Sequence, residues 1–248
     1  MFSIYKKELQ SFFYTPFAYA LTALFMLLFT YIFANKIGSL ESGNTVLVPF
    51  VSIFYDVIFF FMFLIPLITM RTFADERKFG TEVLLMTSPV SVLKIVLGKF
   101  FANVTVFLFM LAGTAIFPII TDHYAGEGGG VIESQLICAY IGFFFWGTMF
   151  ITLGMLISSF TESSIIAAII GELVMFVFLF LDDFAYTAFI SQFPKIQSVL
   201  IAFAAQSRFH YFSQGVIRRS DLIFFVSAII VLLAWTYISI EKRRWKRG

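Results

Sequence analysis

RTFADERKFGTEVLLMTSPVSVLKIVLGK, Arg71 to Lys99, carries charge in a chain whose flanking sequence is almost wholly apolar. Arg71, Arg77, Lys78, Lys94 and Lys99 are five of the 17 Lys and Arg residues. Basic residues in short connections between membrane spans mark the cytoplasmic side, because carrying them across a bilayer during insertion is costly. The stretch therefore reads as a cytoplasmic loop between two spans. Within it Gly80 is a poor helix former, Thr81 is placed to N-cap a new turn, and Glu82 falls at the positive end of that turn's dipole. A short helix is expected there, presenting Val83, Leu84, Leu85 and Met86 until Ser88 and Pro89 stop it. Four apolar residues on such a loop need something to bury them, either a partner protein or the membrane and spans beside it.

Composition agrees with a membrane setting. The 248 residues are 60% hydrophobic, 20% aromatic and only 13% charged, with a mean hydropathy of +0.94. A soluble domain usually has about 25% charged residues. No extended polar alternation of period two points to a barrel, so the expected fold is an all-α integral membrane protein. The single Cys138 allows no intrachain disulfide, and with only His123 and His210 besides there is no metal-ligand cluster to read. No phosphate-binding G-x-x-x-x-G-K-[ST] is present, so ATP chemistry would belong to another chain. A net charge of +2 does not suggest nucleic-acid binding.

Taken in order, residues 1–15 read as an amphipathic interfacial helix, with Phe2, Tyr5, Leu9, Phe12 and Phe13 on one side. Glu8 and Gln10 and the lack of a small-x-small site argue against a cleaved signal peptide. Six spans follow at about 17–34, 48–70, 100–120, 136–158, 165–181 and 222–240, with the loop at 71–99 between the second and third. Residues 182–220 alternate charge with apolar pieces too short to span, and read as an external re-entrant pair of helices. Lys6, Lys7, the five basic residues of the loop, and Lys242, Arg243, Arg244, Lys246 and Arg247 fall inside. Lys36, Lys195, Arg208, Arg218 and Arg219 fall outside, with the Arg218–Arg219 pair sitting uneasily there. Twelve against five places both termini in the cytoplasm. Asp56 and Glu172 are the intramembrane acids, and an ion-coupled secondary transporter could use them as its carriers.

The run ITMRTFADERKFGTEVLLMTSPVSVLKIVLGKF, Ile68 to Phe100, and the later RFHYFSQGVIRRSDLIFF, Arg208 to Phe225, resemble the ABC-2 type permeases of ATP-binding-cassette transporters. The likeness is nearest the gliding-motility-associated permease (GldF-like) and copper-maturation branch, and it covers nearly the whole chain. It implies a single six-span permease domain over 1–248, an exporter subunit without catalytic residues of its own, in the bacterial cytoplasmic membrane. It also implies two ABC ATPase subunits carrying ATP and Mg, a second permease copy or a homologous permease, and contact with membrane lipids. Carried onto this sequence, Glu76, Arg77, Gly80, Thr81, Glu82, Leu84 and Leu85 become the expected ATPase-coupling surface. No repeat in matching halves supports the secondary-transporter alternative.

Overall fold

The computed structural model describes residues 1–38, 50–88, 90–124, 131–187 and 190–247. Among them every regular element is helical. In chain order these are α1 (Phe2–Phe13), α2 (Pro16–Gly38), α3 (Phe50–Thr69), α4 (Arg71–Lys78), α5 (Glu82–Thr87), α6 (Val92–Gly113), α7 (Ile116–Tyr124), α8 (Glu133–Phe160), α9 (Ser164–Leu179), α10 (Leu181–Ala185), α11 (Pro194–Phe203), α12 (Ala205–Ser213) and α13 (Arg219–Arg247), with a 3₁₀ turn at Ile190–Gln192. Val48, where the second span was expected to begin, and Pro89 lie outside the described residues, as do most of the two expected external loops.

Among the described residues five helical runs are long and apolar enough to cross a membrane: Pro16–Lys36, Ser52–Lys78, Val92–His123, Glu133–Phe160 and Arg219–Trp245. The counterpart of the expected fifth span is α9, whose 16 residues extend about 24 Å at 1.5 Å each, short of a core of ~30 Å. Phe180 leaves the helical region at φ −90, ψ 7, and α10 starts anew after it.

Helix also reaches deeper into 71–99 than a charged loop suggests. Met70 keeps α-helical dihedrals and its N–H bonds to the Pro66 carbonyl at 2.8 Å, so α4 continues α3 as far as Lys78. At the other side α6 begins at Val92, eight residues before the expected span, because Lys94 and Lys99 are ordinary helix formers. Charge does not by itself end a helix.

α8 is the centre of the packing, touching α3, α4, α6, α9, α12 and α13. An aromatic cluster fills the core around it. Phe61 of α3 meets Phe25 of α2 at 5.1 Å, Phe107 of α6 at 5.2 Å and Phe143 of α8 at 5.3 Å between ring centroids. Such tilted and edge-on pairs add to simple area burial. Small residues on α8 admit these neighbours, since a Cβ on Gly147 would collide with the Phe107 ring and one on Gly154 with the Thr69 side chain. Gly147→Ala should accordingly lower the thermal unfolding midpoint in detergent by several degrees, because a fully buried ring must move. A midpoint equal to that of the parent would show that the ring shifts freely.

α1 packs along α6, where Gly98 lets Ile4 approach and the Tyr5 hydroxyl meets Thr105 Oγ1 at 3.1 Å. Phe2, expected on the same apolar side, is exposed. In the region read as re-entrant, α12 buries Phe209 and Phe212 against the bundle, whereas α11 has no buried residue. Asp182 caps α12 from a distance, accepting from the Ser207 N–H and hydroxyl, each at 2.9 Å. The arginines here are occupied locally: Arg208 pairs with Asp221 at 2.9 Å and lies over Phe224, and Arg218 lies over the Tyr211 ring. That accounts for basic residues at the end of the bundle remote from α4 and α5.

Candidate functional site

The turn between α4 and α5 follows from its sequence. Gly80 takes φ +70, which glycine alone adopts without a Cβ penalty, and it reverses the chain after Phe79. α5 lasts six residues and stops at Ser88, whose ψ of 150 is the extended value imposed on a residue before proline. Thr81 occupies the N-cap position, but its dihedrals are helical and its side chain makes no cap; the hydroxyl donates instead to the Glu76 carbonyl at 3.4 Å. The expected capping by Thr81 is thus replaced by a tie across the turn.

The seven residues expected to form one contact surface divide by direction. Gly80, Thr81 and Leu84 point outward, and Leu84 is 73% exposed beside Phe79 at 71% and Val83 at 48%. Leu85 is half-buried, sharing a small cavity with Phe73, Ile95 and Ile240. Glu76, Arg77 and Glu82 turn inward. Glu82, expected both to favour the helix dipole and to lie on the coupling surface, is 7% exposed and lies 3.5 Å from Arg243 of α13 and 3.9 Å from Arg77. A carboxylate at that depth persists because both cations compensate its lost hydration.

Two sets of polar contacts hold the hairpin to the bundle. In the first, Lys99 of α6 is 1% exposed, and its ammonium donates to Glu8 Oε1 at 3.0 Å, Glu76 Oε1 at 2.8 Å and the Thr72 carbonyl at 2.7 Å. All three ammonium protons are used, so one buried charge joins α1, α4 and α6. In the second, Arg77 donates to Glu162, between α8 and α9, at 2.7 Å, while Arg243 donates to the Ser159 carbonyl. Ser158 accepts the N–H groups of Phe73 and Ala74 and donates to the Met70 carbonyl, fixing the α3–α4 junction. Ser164 at the start of α9 donates to Asp75.

Lys99, Glu8, Arg243 and Ser158 were not among the expected site residues. Lys99 left one readable signal: a cation directly before a long uncharged apolar run, which calls for an acid if it is buried. Nothing in the sequence identifies Ser158.

The two intramembrane acids lie apart from this hairpin and from each other. Asp56 is paired with Lys36 at 2.9 Å and is partly exposed. Glu172 lies on α9, with one carboxylate oxygen buried and without a hydrogen-bond partner among the described residues. No structure of two coupled acids emerges from them.

With the geometry in view, comparison of the whole sequence decides the class. The family model described as ABC-2 family transporter protein matches residues 2–245. The chain belongs to the ABC-2 transporter family. A search of curated proteins finds no match. As an ABC-2 permease it is a multi-pass membrane component of an ABC transporter and not itself the catalytic part. Permeases of this family work with ABC ATPase partners. The ion-coupled alternative drawn from Asp56 and Glu172 therefore yields to an ATP-driven system.

Proposed function

We propose that this ABC-2 permease is an exporter subunit that receives the ATPase stroke on the α4–α5 hairpin. The observation carrying this reading is the exposed apolar tip, Phe79, Val83 and Leu84, on a base tied by Lys99, Arg77 and Arg243 to α1, α6, α13 and the α8–α9 connection. An apolar tip can bury itself in a partner, and ionic anchoring at its base transmits displacement into the spans instead of letting the hairpin swing. Two ATPase subunits, each holding ATP and Mg, would serve two permease copies or this chain and a homologue.

In this reading α9, completed by Phe180 and α10, is the fifth of six spans, and the hairpin end is cytoplasmic together with both termini. The bundle supports that orientation: Lys7, Arg71, Arg77, Lys99 and Arg243 share contacts at one end, while Lys36, Arg208 and Arg218 lie with Asp56, Asp221 and α12 at the other. The segment with α11 and α12 would then be the external re-entrant region, and the setting a bacterial cytoplasmic membrane. The nearer likeness to gliding-motility-associated and copper-maturation permeases rests on the same hairpin sequence.

Orientation is tested by cysteine labelling after Cys138, which is buried, is replaced by serine. Lys195 and Lys78 are both exposed. Lys195→Cys should react with a membrane-impermeant maleimide in intact cells, and Lys78→Cys only after permeabilisation. The reverse pattern would invert the topology. Docking is tested by placing a photo-crosslinking residue at Phe79, with the ATPase as the expected adduct. Recovery of lipid adducts alone would favour a membrane-surface role for the tip.

A further inference from the structure

A cavity of about 470 Å³ opens at the end of the bundle opposite the hairpin, between the last turn of α2, the start of α3, the end of α9, α10 and α12. Its volume lies within the range of small-molecule pockets, about 300–1,000 Å³. Tyr31, Tyr55, Phe59 and Phe180 supply aromatic walls. Each is partly exposed, at 66%, 39%, 43% and 37%, and Gln206 holds the Tyr55 hydroxyl at 2.8 Å.

The charged lining is Lys36, Asp56 and Asp183. Lys36 and Asp56 form an ion pair and largely cancel. Asp183 is exposed and makes no hydrogen bond or ion pair among the described residues, so the described lining carries one negative charge in excess. The nearby cation Arg208 is held by Asp221 and the Ala202 carbonyl and does not line the cavity. Aromatic faces and an unbalanced carboxylate around a mostly apolar space are the two features that recognise an organic cation.

We propose that this cavity binds amphipathic organic cations, with the apolar body among Tyr31, Tyr55, Phe59 and Phe180 and the positive centre toward Asp183 and Asp56. Lys36 then acts as an internal competitor, a tethered cation that a ligand must displace from Asp56 to reach full contact. The inference deepens the exporter reading by naming a substrate class, and rests on it for the claim that a bound cation is moved. Binding itself requires neither ATP nor the ATPase.

The test uses the full chain in lipid nanodiscs, with tetraphenylphosphonium as probe, tetraphenylborate as the anion of matching shape, and empty nanodiscs subtracted. Equilibrium dialysis should show saturable binding of the cation and none of the anion. Asp183→Asn, at an exposed position whose change leaves packing intact, should weaken binding about tenfold. Lys36→Met should strengthen it by a similar factor, because Asp56 is released to the ligand. Opposite shifts from these two changes are not what damage to the fold produces. Absence of saturable cation binding, equal binding of the anion, an unchanged Asp183→Asn or a weakened Lys36→Met would each overturn the proposal. Since no ATPase is present, failure here leaves the hairpin assignment standing, and loss of ATPase docking leaves the cavity assignment standing.

Discussion

Phe79→Asp combined with Leu84→Asp should abolish co-purification of the ATPase and ATP-linked transport while membrane insertion stays normal. Both side chains are more than two-thirds exposed in the free permease, at 71% and 73%, and so contribute little to its own stability. Burying each against a partner is worth roughly 1.5–3 kcal/mol, and losing both weakens association by about 100- to 10,000-fold at 1.4 kcal/mol per tenfold. Carboxylates placed in an apolar contact add a desolvation cost on top. Ile196→Asp, at an exposed apolar position on α11 at the other end of the bundle, is the matched control and should leave the complex intact. Glu162 is unsuitable as a control because it is bonded to Arg77 at the hairpin base. If the double variant still held its ATPase and transported normally, Phe79 and Leu84 would be membrane-surface anchors instead.

The hairpin was legible because its punctuation is local. Gly80 reverses the chain through a backbone conformation that its missing side chain permits, and Pro89 forces Ser88 to be extended; neither depends on distant residues. The direction of each side chain was not legible, since Glu82 faces inward only because Arg77 and Arg243 arrive from α4 and from α13, far along the chain. Apolar length marked six spans, five of which are long helical runs among the described residues, while α9 ends at Leu179, two residues before its expected end, because Phe180 interrupts the helix without any Gly or Pro to announce it. Lys99 was read by its charge as a loop residue. Its helical setting and its two acids, one of them 91 positions away, make it a buried tie.

That tie is the second large effect. Lys99→Met fills similar volume but leaves Glu8, Glu76 and the Thr72 carbonyl without their shared donor. Removing one side of a buried ion group costs about 3–5 kcal/mol, because the remaining charges stay desolvated and uncompensated. Lys7, 3.8 Å from Glu76 and mostly exposed, can answer for that acid in part; Glu8 has no comparable substitute among the described residues. The thermal unfolding midpoint in detergent should fall on the order of 10 °C. Adding Glu8→Gln and Glu76→Gln to Lys99→Met should restore most of the loss, since no buried charge is then left unpaired. The functional consequence separates from the stability one: at a temperature where every variant is folded, the triple variant should still bind the ATPase through Phe79 and Leu84 yet hydrolyse ATP with reduced transport, because α1 and α6 no longer follow the hairpin rigidly. A Lys99→Met protein with the parental midpoint would show that the three contacts carry no net stability, and a triple variant with parental transport per ATP would show that the stroke reaches the spans through α3 alone.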